Sequence, residues 1–167
     1  ASGIDVGITT NAVLLKPELV GEILGYVEWI KVSINGGTPD TYAAVHQCKS
    51  VDFQRVIDNM KNARRLKDQY GYKCALGMQL VLLPENKDSV SKLAEIARDI
   101  GMDYLVVKPY SQHPQSRTRV YEGIKYSDYL TLSEDLKKYS TKEFNVIFRL
   151  NTMKKWDASQ RTYKNCN

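Results

Sequence analysis

Five short apolar runs along the chain carry polar residues that, read with the alternation of a strand, fall on one face. They are Gly7-Ile8-Thr9-Thr10-Asn11, Ile30-Lys31-Val32-Ser33-Ile34-Asn35, Met78-Gln79-Leu80-Val81-Leu82, Tyr104-Leu105-Val106-Val107-Lys108 and Asn145-Val146-Ile147-Phe148-Arg149. A period of two is that of a β-strand, whose side chains alternate between faces. The runs predict strands over 6–10, 30–35, 75–83, 104–108 and 144–150. They are nearly continuous in apolar residues, as expected of parallel strands covered on both faces.

Between the runs the period changes to that of a helix. Pro17 opens one helix, at a position where the missing N–H costs nothing, and Gly25 ends it. After the second strand, Gly36-Gly37-Thr38-Pro39-Asp40 turns into a short helix carrying Tyr42 and Val45. The clearest helix has Phe53, Val56, Ile57, Met60, Ala63, Leu66 and Tyr70 at spacings of three and four. Asp52 is its expected cap and Gly71 its expected terminator. A further helix carries Val90, Leu93, Ala94, Ala97 and Ile100, with Asp88 as cap and Gly101 as stop. Ser127 is the expected cap of a last helix with Leu130, Leu136 and Tyr139. The stretch 110–126 has no apolar period and is too long for a plain connection, which predicts a functional loop. The residues after Asn151 show no clear period.

Strand–helix alternation predicts an α/β fold of parallel βα units with right-handed crossovers, a partial (β/α) barrel. At 167 residues the chain is shorter than the roughly 250 residues of an eight-stranded barrel. It opens Ala1-Ser2-Gly3 without an initiator Met, which fits a processed chain or a segment of a longer one. The division expected is a barrel portion over 1–150 and a tail over 151–167.

In such barrels the active site lies at the carboxyl ends of the strands. Lys31, Ser33 and Asn35 share one face of the second strand, and Gln79 shares a face with Gly77 and Val81. Lys108 and Tyr110 share a face of the fourth strand, and Asn145, Ile147 and Arg149 one of the fifth. Gly77 is read as leaving room for a ligand to approach the backbone. Burying this many polar groups is costly unless they meet partners, water or a ligand. The set Ser33, Asn35, Gln79, Lys108 and Arg149 therefore points to a ligand site lining the barrel interior.

The site offers hydroxyl, amide and cationic donors and no evident general base, so no catalytic residue is assigned. Of the two histidines, His46 is expected on a solvent-facing helix surface and His113 falls in the long loop. There is no nucleophile elbow, Walker A loop or His-Glu-x-x-His motif. Chemistry at such a site would have to come from a cofactor.

Composition adds exclusions. A hydrophobic fraction of 43% with 26% charged residues is that of a globular domain. No apolar run is long enough for a membrane span and no signal peptide opens the chain. The net charge of +5 is spread over helices, without the interleaved aromatics of a nucleic-acid groove. Three widely spaced cysteines, Cys48, Cys74 and Cys166, argue for a reducing, cytoplasmic location and make no complete metal site.

The order of these motifs resembles the radical S-adenosylmethionine (SAM) enzymes. Gly7-Ile8-Thr9-Thr10-Asn11 and Val32-Ser33-Ile34-Asn35-Gly36-Gly37 resemble that family's third and fourth strands, and 53–59 its next helix. Gln79-Leu80-Val81-Leu82-Leu83-Pro84-Glu85-Asn86 and Val107-Lys108-Pro109-Tyr110-Ser111 resemble its fifth and sixth strands. The resemblance covers roughly residues 3–111. It implies a partial (β/α)6 barrel that cleaves SAM reductively at a [4Fe-4S] cluster. It places Thr10, Asn11, Ser33, Asn35 and Gln79 at SAM, and Lys108, Tyr110 and Arg149 at a small-molecule or peptide substrate.

Departures from the pattern are specific. The family's Cys-x-x-x-Cys-x-x-Cys loop and Gly-Gly-Glu-Pro stretch do not occur in this sequence. Ala12 and Asn35 stand where the family usually has glycine and aspartate. The resemblance thus makes the chain the later part of the barrel, lacking its first two strands. By itself it is expected neither to hold the cluster nor to cleave SAM. Tyr163-Lys164-Asn165-Cys166 resembles the start of a C-terminal auxiliary-cluster (SPASM/twitch) domain, with Cys166 as a cluster ligand. Two other readings of the residues stand beside this one: an aldolase- or isomerase-type barrel acting on an anionic substrate, and a non-catalytic βα binding module. Open strand edges carry the expectation of dimers or aggregation.

Overall fold

The computed structural model describes residues 3–111, 115 and 117–157. Five strands, β1 (Gly7–Thr10), β2 (Trp29–Ser33), β3 (Ala75–Leu82), β4 (Tyr104–Pro109) and β5 (Asn145–Phe148), form one parallel sheet in sequence order. Helices α1 (Pro17–Ile23), α2 (Pro39–His46), α3 (Val51–Tyr70), α4 (Val90–Ile100) and α5 (Leu130–Lys137) fill the crossovers, and α6 (Leu150–Asp157) follows β5. Sequential parallel order with a helix in every crossover is the arrangement of a partial (β/α) barrel.

Alternation divides the sheet sharply. Ile30, Val32, Leu76, Met78, Leu80, Leu82, Leu105 and Val107 face the helices and are buried. There they meet the stripes of α3 (Phe53, Val56, Ile57, Met60, Ala63) and α4 (Val90, Leu93, Ala94, Ala97) in one continuous core. The opposite face carries the polar residues, which are half-buried or exposed, while Gly77 and Val106 on it are buried. Gly71 and Gly101 end α3 and α4 at φ 65° and 84°, left-handed conformations that favour glycine. Among the described residues no helix is long and apolar enough to cross a membrane.

Several local expectations are corrected. Asp52 lies inside the first turn of α3 and pairs with Arg55 at 2.8 Å instead of capping. Asp88 lies in a 3₁₀ turn, Lys87–Ser89, that precedes α4, and its side chain is exposed. Ser127 lies in a second 3₁₀ turn, Tyr126–Tyr129, and offers its own N–H rather than capping with its hydroxyl. Tyr70 is exposed at the end of the α3 stripe. Residues 150–157, which show no clear period, form α6. Met153 is fully buried, and the helix packs on β4 and on the second 3₁₀ turn.

Candidate functional site

In a parallel sheet, register partners project from the same face, so the pairing arranges the polar face in rows across the strands. The row nearest the amino ends pairs Gly7 with Trp29 and continues to Ala75. The next joins Thr9, Lys31, Gly77, Tyr104 and Asn145. Above it lie Ser33, Gln79, Val106 and Ile147. The last row carries Val81 and Lys108. Arg149 lies one residue past the Val107–Phe148 pair, and its N–H donates to Val107 O at 2.9 Å. Ser33, Gln79, Lys108 and Arg149, called from four separate strands, therefore share one face.

The lower part of this face is closed by aromatic rings. A Cβ on Gly7 would overlap the Trp29 indole, and one on Gly77 would overlap the Tyr104 ring. The space at Gly77, read from sequence as room for a ligand, is taken by Tyr104 from the neighbouring strand. The Lys31 ammonium lies 5.1 Å from the centre of the Trp29 ring. What remains open is the upper part, at the carboxyl ends of the strands.

There the cations gather. Lys108 is half-buried, and burial is the main cause that lowers its ammonium pKa, reinforced by Lys31 and Arg149. Among the described residues no carboxylate forms an ion pair with Lys31, Lys108 or Arg149.

The rim is held by a network that sequence reasoning missed. Asn86 is fully buried. Its Nδ2 donates to Asn35 O at 3.1 Å and Val81 O at 2.8 Å, while its Oδ1 accepts from Leu83 N at 2.9 Å. Ser89 Oγ donates to Asn86 O and accepts from Gly37 N, at 3.0 and 3.1 Å. A Cβ on Gly37 would overlap the Ser89 backbone, so the turn after β2 needs glycine there for close approach. Asn35 is tied in as well: its Oδ1 accepts from Val81 N at 2.8 Å and its own N–H donates to His46 Nε2 at 3.0 Å. His46 is thus half-buried and stacked on Tyr42 at 4.3 Å, not solvent-facing.

Thr10 and Asn11 are parted by the alternation. Thr10 projects to the helix side, and its Oγ1 accepts from Ala12 N at 3.0 Å. Ala12 sits at φ 60°, a conformation that favours glycine. Asn59 on α3 secures this turn by donating to Ala12 O and Val13 O at 2.8 and 3.2 Å. Asn11 is left exposed at the rim, its Oδ1 accepting from Val13 N.

On the far side the loop after β4 folds back. Tyr126, fully buried, accepts from Tyr110 N at 2.6 Å and donates to Leu82 O at 3.1 Å, and burial pushes its phenol up to about 12. The Tyr110 ring packs edge-on against Tyr121 at 5.1 Å, and Tyr121 OH donates to Glu85 at 3.1 Å. Asp157 on α6 accepts from Tyr126 N and Ser127 N at 2.8 and 2.6 Å.

His113 and Cys166 lie outside the described residues. Among the described residues no group of three or more His, Cys, Asp or Glu side chains could hold a metal ion. Cys48 is exposed and Cys74 is buried at the start of β3. A separate groove of about 700 Å³ lies on the outer surface between α3 and α4, lined by Ile57, Lys61, Arg65, Ile96 and Asp99 among others. It is remote from the polar rows, on the helical side of the sheet.

The fold is a parallel partial (β/α) barrel with an open polar surface at the strands' carboxyl ends. No protein-family model and no curated protein matches the chain. Among solved structures, SuiB of Streptococcus suis aligns over 87% of this chain at 22% identity, with a TM-score of 0.65 and 32% of SuiB covered. SuiB bound to S-adenosylmethionine aligns over 87% at 21% identity, TM-score 0.64, covering 33% of that chain. SuiB bound to the precursor peptide SuiA aligns over 86% at 21% identity, TM-score 0.61, covering 32%. The likeness is one of fold, and this chain spans about a third of the length of the solved structures it matches.

Proposed function

We propose that this chain is part of a radical SAM enzyme and holds SAM across the upper rows of its concave face. The observation that carries the reading is the joint occurrence of Ser33 and Gln79 in one open row and a fold shared with SuiB bound to S-adenosylmethionine. Asn11, Ser33 and Gln79 are the side chains assigned to SAM. Thr10 and Asn35, engaged in internal hydrogen bonds, shape the rim around it. Lys108, Tyr110 and Arg149 are assigned to the substrate wall. A peptide substrate is favoured, since SuiB, which shares this fold over part of its length, is bound to the precursor peptide SuiA.

The described residues do not fit an iron–sulfur cluster, since they offer no ligand set. The role assigned to them is confined to binding and orienting SAM and substrate, and the cluster of the whole enzyme is assigned to residues other than these. The reading carries with it a reducing, cytoplasmic setting and association through the outer edges of β1 and β5, which pair on one side only within this sheet. Equilibrium dialysis of the chain with labelled SAM tests the central point. Saturable binding is expected, and retention no greater than that of free ATP at the same concentration would sink the reading.

One observation favours a second reading. A half-buried lysine with a lowered pKa at the carboxyl end of a barrel strand has the properties of a Schiff-base nucleophile. An aldolase-type enzyme would then use Lys108 covalently. Borohydride trapping of a carbonyl compound on Lys108 would favour it over the SAM reading.

A further inference from the structure

Lys108 and Arg149 stand side by side on neighbouring strands of the concave face. One residue earlier, Val107 and Phe148 are register partners, and the ladder continues through the Arg149 N–H to Val107 O bond. Their Cα atoms are therefore about 5 Å apart, with both side chains on the same face. Lys31 lies two rows below on the same face, its ammonium 5.1 Å from the centre of the Trp29 ring. Glu85, at the end of β3, accepts from Tyr121 OH. Asp103 pairs with Lys67 and Arg64, and Asp157 accepts from the backbone of the Tyr126–Tyr129 turn.

Lys108 is half-buried and Arg149 is exposed beside it; like charges set side by side raise the free energy of the empty site, and an entering anion relieves it. A planar carboxylate suits this pair. The guanidinium of Arg149 can meet both oxygens in a fork, while Lys108 supplies a point charge from the side. Ser33 and Gln79 lie one row below, so a ligand anchored here would reach across them toward Asn11.

We propose that Lys108 and Arg149, backed by Lys31, form a carboxylate-binding site, so that the substrate of this barrel carries an acidic group, such as a Glu or Asp side chain of a peptide. The inference names substrate chemistry for the site proposed above and rests on that reading. Two carboxylates could fill the site, that of the substrate and that of SAM itself, and the test separates them.

The lysines of the chain are reductively dimethylated with ¹³C-formaldehyde, which preserves their charge, and the Lys108 signal is assigned by its loss in Lys108→Gln. Glutarate is titrated at constant ionic strength, with glutaramide as the neutral control. Glutarate is expected to shift the Lys108 signal saturably, glutaramide not at all, and Arg149→Gln to weaken glutarate by about tenfold or more. Equal responses to glutarate and glutaramide, or unchanged glutarate affinity in Arg149→Gln, overturn the site. SAM and decarboxylated SAM are then titrated. A Lys108 shift with SAM that is missing with decarboxylated SAM assigns the site to the cofactor and overturns the acidic substrate. Bound SAM with no glutarate response overturns the carboxylate site alone. A glutarate response with no SAM binding upholds the carboxylate site and overturns the SAM reading.

Discussion

The backbone N–H of Asn35 donates to Nε2 of His46 at 3.0 Å, across the turn that joins β2 to α2. The imidazole must therefore be neutral at Nε2, and its proton sits on Nδ1. Burial lowers the His46 pKa below its ordinary 6.5. A depressed pKa means the folded state disfavours the charged form, so the stability linked to His46 is present above about pH 6.5 and is lost as pH falls through the folded value. The other titratable groups lining the same hollow are Tyr42, Cys48 and Asp52, of which only Asp52 carries charge in this range. Urea midpoints measured between pH 5 and pH 8 are expected to fall on the acid side. In His46→Ala that component should vanish, at a constant cost of about 1–2 kcal/mol from the unpaired amide.

Asn86 joins the ends of β2 and β3 through three hydrogen bonds to backbone groups. Asn86→Asp replaces the donating Nδ2 with an oxygen facing the carbonyls of Asn35 and Val81. Chemical denaturation of Asn86→Asp and Asn86→Leu is expected to show a loss of about 2–4 kcal/mol in each, since buried polar partners are left unmet. A loss within 0.5 kcal/mol (about the scatter of surface substitutions) would contradict the network described.

Gly77 is covered by the Tyr104 ring. Gly77→Ala must displace that ring and is expected to cost about 1–3 kcal/mol. In a Tyr104→Ala background the same change should cost far less, because the obstruction is gone. A double-mutant cycle by thermal melting checks this, and additivity of the two changes would refute the contact.

Asp157 fastens α6 to the end of the long loop by accepting from Tyr126 N and Ser127 N. Asp157→Ala is expected to cost about 1–2 kcal/mol, the usual range for charge-assisted bonds that are partly exposed. Hydrogen exchange at the amides of Tyr126 and Ser127 should quicken with little change at Leu80 or Val107 in the sheet core.

The strands and their faces were legible because alternation is written locally: Lys31, Val32 and Ser33 carry the whole message. Helix ends at Gly71 and Gly101 were legible for the same reason, since one residue type suits a left-handed terminator. What depended on register was not. Nothing near Gly77 tells that Tyr104, 27 residues on, fills its space. His46 and Asn86 look like surface polar residues in their own segments; His46 finds its partner only when the turn from β2 to α2 closes, and Asn86 only where the ends of β2 and β3 meet. α6 was not legible because eight residues make little more than two turns, too few for a helical period to stand out. The cation row was visible as separate residues, while its convergence required the pairing of β4 with β5.

The central claim is that the ligand sits on the concave face at the strands' carboxyl ends, not in the larger outer groove between α3 and α4. The direct measurement is amide chemical-shift mapping of the ¹⁵N-labelled chain during addition of SAM. Shifts are expected at Asn11, Ser33, Gln79 and their neighbours, with Lys61, Arg65 and Ile96 unmoved. Shifts gathered along α3 and α4, or none with SAM at saturation of the titration, would contradict the account.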